Sequence, residues 1–166
     1  CGRVERENTF PYESFLVLVD YAHNAMSLQS VLEMIHSYNP KRIITIFGCG
    51  GGRAKNRRYE MGKVSGQLSD ITVLTSDNPR YEDPFQIMWD IREGIEEVRG
   101  SYVEISNRKE AVRYALIHAR KGDVILLAGK GHEEYQEIKG IKYNMNDRAI
   151  IQEVIKELEY VRRYHY

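Results

Sequence analysis

The residues with chemical reach in this chain fall into a few short clusters. Asp77-Asn78-Pro79-Arg80 supplies an anion, an amide, a rigid turn and a guanidinium in succession. Arg80 can grip a carboxylate through two parallel hydrogen bonds, a geometry lysine lacks. Asp77 can accept from an ammonium, and Asn78 can donate or accept. A turn rich in Asp, Asn and Pro also arises for purely conformational reasons. Gly48-Cys49-Gly50-Gly51-Gly52 is followed by Arg53, Lys55, Arg57 and Arg58. Glycines let backbone N–H groups approach an anion closely. One or two would suffice for a tight turn, so this excess favours an anion site, although Arg57 or Arg58 can equally coat a helix face. No Gly-Lys-Ser/Thr follows, and Arg53 stands where a dinucleotide fingerprint needs its third glycine.

Gly129-Lys130-Gly131-His132-Glu133 sets two glycines around a charge and offers Glu133 as a second acceptor for a cation. A loop start with a chance carboxylate is the plainer alternative. In Asp20-Tyr21-Ala22-His23 the histidine can contact phosphate or move a proton, yet a lone histidine is more often structural. Asp147-Arg148 is weaker: Asp147 reads as the N-cap of the last helix. Tyr160, Tyr164 and Tyr166 read as amphipathic packing and a frayed end.

Each of the four clusters stands directly after an apolar run: 15–19, 42–47, 71–75 and 124–128. Such short β-branched runs read as buried parallel strands. A shorter strand is expected at 102–105. Helices are expected at about 26–37, 55–68, 84–98, 108–120 and 147–163, from apolar spacing, caps and breakers. Pro84 suits a first helical turn. Residues 135–138 and 141–143 flank Lys139-Gly140, a hairpin turn. Alternating strands and helices imply an α/β, Rossmann-like three-layer domain with a mostly parallel sheet of about six strands. The hairpin near the C-terminus is expected to supply the antiparallel edge. In such sheets ligands bind outside the carboxyl ends of the strands, so all four clusters should converge.

The 166 residues suit one domain with a sizeable core. Lysine plus arginine balances aspartate plus glutamate, 24 against 24, which argues against a nucleic-acid partner. No apolar run approaches 18 residues, so no membrane association is expected. Cys1 and Cys49 make neither a disulfide framework nor a metal-ligand spacing, no metal site is expected, and the expected compartment is the cytoplasm. Residues 1–14 are polar and aperiodic and read as a linker; a start at Cys1-Gly2-Arg3 without methionine suggests a fragment. Guanidinium and amide donors beside Asp77 and Glu133 make the inventory of an amino-acid pocket. With no nucleophile and no ATP-phosphate loop, it reads as part of an active site, inactive alone.

These motifs, in this order, resemble the carboxy-terminal domain of the Mur ligases, specifically the MurE type, UDP-N-acetylmuramoyl-tripeptide synthetases. They are Asp20-Tyr21-Ala22-His23, Phe47-Gly48-Cys49-Gly50-Gly51, Ser76-Asp77-Asn78-Pro79-Arg80 and Gly129-Lys130-Gly131-His132-Glu133, with Gly2-Arg3-Val4-Glu5 resembling the close of that family's central domain. The resemblance implies ATP-dependent peptide-bond formation. ATP activates the D-glutamate carboxylate of UDP-MurNAc-L-Ala-D-Glu, and the amine of the incoming amino acid attacks the acyl phosphate. A missing central domain would hold most of the ATP and the Mg²⁺, with residues 15–166 as the amino-acid-binding domain. It further implies meso-diaminopimelate as the amino acid, with Arg53 and Arg80 at its distal carboxylate. Asp77, Asn78, Gly129 and Glu133 would take the ammonium end, with Asp20 and His23 facing ATP after closure. Departures are His23-Asn24-Ala25-Met26 for His-Thr-Pro-Asp, Gly51-Gly52-Arg53-Ala54 for Gly-Gly-Asp-Arg-Asp, and Asp147-Arg148-Ala149 for Asp-Arg-Glu. They leave open a ligase adding lysine or another amino acid, a folylpolyglutamate-synthase-like ligase, or a non-catalytic small-molecule-binding paralogue.

Overall fold

The computed structural model describes residues 5–7, 15–130 and 133–164. Gly131 and His132 of the last glycine cluster, Tyr166, and Gly2-Arg3-Val4 therefore lie outside the described residues. The elements run β1 (Glu5–Glu7), β2 (Leu16–Asp20), α1 (Ala25–Ser37), β3 (Ile43–Phe47), α2 (Lys55–Leu68), β4 (Ile71–Leu74) and α3 (Pro84–Glu97). They continue with β5 (Tyr102–Glu104), α4 (Arg108–His118), β6 (Val124–Ala128), β7 (Tyr135–Ile138), β8 (Ile141–Asn144) and α5 (Asp147–Tyr164).

One sheet has the order β1-β2-β6-β3-β4-β5. From β2 to β5 every pairing is parallel. Strands β3 and β6 sit at its centre, and every residue in both is buried, as expected of strands covered on both faces. Their side chains alternate between two cores. Ile44, Ile46, Ile125 and Leu127 pack with Ala115 of α4 and Ile151 of α5. Ile43, Phe47, Leu126 and Ala128 pack with Leu28 of α1, Met61 of α2 and Ile91 of α3. This is the expected three-layer arrangement. Among the described residues no helix is long and apolar enough to cross a membrane.

The antiparallel partner differs from expectation. The C-terminal hairpin is present, with Lys139 and Gly140 both at positive φ (49° and 79°), as a two-residue I′ turn requires. It forms its own two-stranded sheet and does not extend the main one. The antiparallel edge of the main sheet is β1, with Glu5 to Glu7 paired against Val19 to Val17. Turn chemistry defines a hairpin but not what the hairpin lies against. Here it lies against the loop after β4, through a bridge between Arg80 and Ile138.

The start of α1 accounts for one of the sequence departures. Asn24 caps α1: its Oδ1 accepts the Ser27 amide at 2.8 Å while Ser27 Oγ accepts the Asn24 amide, so a capping box forms without a threonine. Asp147 is not a cap. It is the first residue of α5, and Asn146 accepts the Ala149 amide.

Candidate functional site

The carboxyl ends of β2, β3, β4 and β6 bring the expected clusters to one cleft. Its lining includes Tyr21, His23, Arg53, Arg57, Asp77, Asn78, Arg80, Gly129 and Glu133. Each loop reaches it by a close backbone approach. A Cβ on Gly48 would lie 2.1 Å from the Thr75 carbonyl oxygen, and one on Gly51 2.0 Å from that of Pro79. Glycines are therefore needed here so that the β3 loop can lie on the β4 loop, and the Gly51 amide donates to the Asn78 carbonyl at 2.7 Å. Gly129 has φ +107°, a conformation open to glycine alone, and its amide bonds the Asp20 carbonyl.

Arg80 occupies the left-handed region (φ 53°). Its backbone is held on both sides by the hairpin, through Arg80 N to Glu137 O (3.0 Å) and Lys139 N to Arg80 O (2.6 Å). One arm of its guanidinium donates to the Gly51 carbonyl at 2.6 Å, and Nε stands 3.5 Å from Glu137. Arg53 is exposed and Arg57 partly buried; neither has an ion pair among the described residues. Three arginines and the acids Asp77 and Glu133 thus line one cleft.

Asp20 does not face the cleft. It is 1% exposed, its Oδ1 accepts the Ala22 amide at 2.7 Å, and Oδ2 has no hydrogen-bond partner among the described residues. Burial raises its pKa above the ordinary carboxylate value, opposed by the Ala22 amide. In this structure the Asp20 carboxylate folds the 20–22 turn. His23 is exposed, with Nδ1 3.3 Å from the Tyr21 carbonyl and its ring 5.1 Å from that of Tyr21. Tyr21 has its pKa raised by burial and by the Glu133 carboxylate. Cys49 is buried, and burial pushes its thiol up to about 12, so it is inert packing.

Three cations are buried, which sequence reasoning did not expect of any of them. Lys130 is fully buried, and its Nζ donates to Asn78 Oδ1 (3.0 Å) and to the Tyr135 carbonyl (2.6 Å). Arg108, also buried, forks onto Asp147 (2.7 and 2.9 Å) and reaches the carbonyls of Ser76 and Ala128. It thereby ties together the ends of β4 and β6, each one residue before a site residue. Arg58 does not coat a helix face: it is buried, pairs with Asp90 and Glu82, and holds α2 against α3. Glu82 also accepts the Gly52 amide at 2.6 Å, and that bond, with Arg58, lowers its pKa. A carboxylate thus reaches the glycine loop from the neighbouring loop although the acids beside Arg53 are absent. The only signal in the sequence was position: Lys130 stands two residues beyond the most apolar strand, and Arg108 opens a helix.

A larger cavity of about 680 Å³ lies on the other side of the β4 loop, lined by Arg80, Glu82, Ser106 and Lys139 among others. Of the expected site residues only Arg80 touches it, so the smaller, charge-dense cleft is the better candidate. Among the described residues no group of three or more His, Cys, Asp or Glu could hold a metal ion.

Fold and cleft together define a three-layer α/β domain with both signs of charge at its strand ends. The chain belongs to the family described as Mur ligase, glutamate ligase domain, which it matches over residues 2–131. It is 46% identical over 158 residues to the UDP-N-acetylmuramoyl-L-alanyl-D-glutamate--2,6-diaminopimelate ligase of Caldanaerobacter subterraneus subsp. tengcongensis, covering 95% of this chain and 32% of that protein. To the protein of the same name from Alkaliphilus metalliredigens it is 44% identical over 151 residues, 91% of this chain and 31% of that one. A solved structure of a ligase of that name superposes with TM-score 0.88 at 34% identity, covering 96% of this chain and 32% of its own. E. coli FolC in complex with ADP shares the fold, with TM-score 0.55 at 14% identity over 93% of this chain and 31% of that one. The chain spans about a third of the length of the curated relatives it matches.

Proposed function

We propose that this chain is the amino-acid-binding domain of an ATP-dependent ligase that joins meso-diaminopimelate to UDP-MurNAc-L-Ala-D-Glu in peptidoglycan precursor synthesis. Residues 15–166 form that domain, and residues 1–14 lead in from a central domain. The observation that carries the reading is the charge pattern of the cleft, which Arg53, Arg57 and Arg80 line together with Asp77 and Glu133. A diamino dicarboxylate presents carboxylates to the arginines and an ammonium to the acids. The 2,6-diaminopimelate in the relatives' names supports the same substrate.

In this reading Arg80, pinned by β7 and Gly51, presents its remaining N–H groups to the distal carboxylate, with Arg53 beside it. Asp77, Glu133 and the Gly129 backbone receive the ammonium end. Asn78 acts at one remove, because its Oδ1 is already taken by Lys130 and by the Glu137 amide. The domain thereby orients the nucleophilic amine and lowers the entropy cost of attack on the acyl phosphate. His23, exposed at the rim, faces ATP when the domains close. In this reading the ATP phosphates and Mg²⁺ are held by the central domain. The compartment this reading assigns is the cytoplasm.

The test is phosphate release by the full-length ligase with meso-diaminopimelate, lysine and ornithine. Lysine lacks the carboxylate that a partly buried guanidinium is placed to meet, and should be a poor substrate. Arg80→Lys loses the fork geometry. At about 1.5–3 kcal/mol for a hydrogen-bonded charge, the KM for meso-diaminopimelate should rise about 10- to 150-fold. Lysine turned over as efficiently as meso-diaminopimelate would refute the substrate assignment.

A further inference from the structure

The acceptors expected to take a ligand ammonium already surround one. Lys130 Nζ lies 3.0 Å from Asn78 Oδ1, 3.1 Å from Asp77 Oδ1, 2.6 Å from the Tyr135 carbonyl and 3.7 Å from Glu133 Oε2. The Asp77 approach is off the hydrogen-bonding direction, since Oδ1 counts as buried without a hydrogen-bond partner. The side chain of Lys130 is fully buried, while those of Asp77 and Glu133 are 14% and 21% exposed. The lysine therefore holds the acids from below while they keep oxygens towards the cleft.

We propose that Lys130 is the positioning residue of the amino-acid site: a built-in counter-cation that fixes Asp77, Asn78 and Glu133 and leaves the cluster with room for one further ammonium. The charge balance supports this. Two carboxylates against one ammonium leave a single net negative charge, which one incoming ammonium neutralises. Without Lys130 two half-buried carboxylates would face each other with no counter-ion, a costly arrangement. They would turn outward or take up a proton, and either change spoils the acceptor geometry. The other charged or titratable residues lining this cleft are Arg53, Arg57, Arg80, Tyr21, His23 and Cys49. Among the described residues none of the three arginines pairs with Asp77 or Glu133, and Arg80 is engaged by Glu137 and the Gly51 carbonyl, whereas Lys130 reaches both acids.

The same ammonium fastens the hairpin. It holds the Tyr135 carbonyl, and the next residues along β7 bond the site loop: Gln136 Nε2 to the Asp77 carbonyl (2.8 Å) and the Glu137 amide to Asn78 Oδ1 (2.9 Å). Asn78 Oδ1 thus receives both Lys130 and β7. Losing the lysine should loosen the hairpin from the loop that carries Arg80.

The ligand arm of the test rests on the proposed function; the exchange arm does not. In the 166-residue chain, Lys130→Met removes the charge and keeps a linear side chain of similar volume. Amide hydrogen exchange should then be about tenfold or more faster at Glu137 and Lys139, with core amides such as Leu126 unchanged. Unaltered exchange at both hairpin amides overturns the positioning role. Calorimetric titration then compares meso-diaminopimelate with pimelate, which keeps both carboxylates and lacks both amines. The wild-type preference for the diamino acid should collapse about tenfold or more in Lys130→Met, whereas a merely structural strut would weaken both ligands equally and leave the ratio intact. An intact ratio refutes the counter-cation role. Wild-type protein that shows no preference refutes the proposed substrate instead, and the exchange arm still decides Lys130. Should Lys130→Met fail to fold, ¹⁵N-lysine NMR of the wild type decides: a fixed, buried ammonium gives a slowly exchanging Nζ resonance at neutral pH, and a Lys130 resonance lost to rapid solvent exchange overturns the proposal.

Discussion

Replacing Asp147 by alanine isolates the buried pair that joins the ends of β4 and β6. As a helix cap, Asp147 would be worth about 1 kcal/mol; as the partner of a buried guanidinium it is worth much more. Arg108 and Asp147 are both fully buried, and alanine would leave the guanidinium with only the Ser76 and Ala128 carbonyls at 3.1 and 3.3 Å. Stranding one member of a buried ion pair costs about 3–5 kcal/mol. Alanine is itself a good helix former, and Asn146 still caps α5, so local helix effects stay small. With a urea m-value of about 2 kcal/mol/M, the unfolding midpoint should fall by about 1.5–2.5 M. Asn146→Ala, which removes the true cap, is the control and should cost about 1 kcal/mol. The assay is equilibrium urea unfolding followed by tryptophan fluorescence, using the single Trp89. An Asp147→Ala shift under about 0.5 M, or one no larger than that of Asn146→Ala, would refute the reasoning.

Two further outcomes follow from other parts of the fold. Gly62→Ala gains about 1 kcal/mol of helix propensity, but its Cβ would sit 2.1 Å from the Ile91 carbonyl oxygen of α3. Overpacking against backbone costs about 1–3 kcal/mol or more, so the melting temperature should fall; a rise would show that α2 and α3 can part freely. Asp20 has a folded pKa raised by burial above its ordinary 3.8. It holds its proton more tightly folded than unfolded, so the stabilisation is full below the unfolded value and lost as pH rises through the folded one. Asp20→Asn should therefore raise the urea midpoint at pH 7 and change it little near pH 3, and an equal effect at both pH values would count against a buried, ionised Asp20.

The parallel sheet was legible because its central strands are unbroken apolar runs, and helix α2 because polar punctuation marks both of its ends. The convergence of the site followed from one rule, that loops at the carboxyl ends of parallel strands share a crevice. What stayed hidden were the buried cations. Nothing in Arg58, Arg108 or Lys130 as letters separates a solvated charge from one enclosed among carbonyls, and their carboxylate partners are set by tertiary packing. Arg108 and Asp147, for instance, are 39 positions apart. Strand β1 was missed for a different reason: three charged residues carry no apolar period, and their pairing depends on what β2 offers them.

That pairing has a consequence for solubility. Strand β2 is Leu-Val-Leu-Val-Asp, and without β1 its outer row of N–H and C=O groups would be an open, apolar edge of the kind that recruits strands from other chains. At the opposite end the sheet closes on β5, only three residues long, which offers a newcomer little to pair with. The segment Glu5–Glu7 therefore acts as a gatekeeper, its backbone occupying the row that β2 would otherwise leave open. Trimming the chain to begin at Phe15 would keep every site residue and still yield a protein prone to edge-to-edge association.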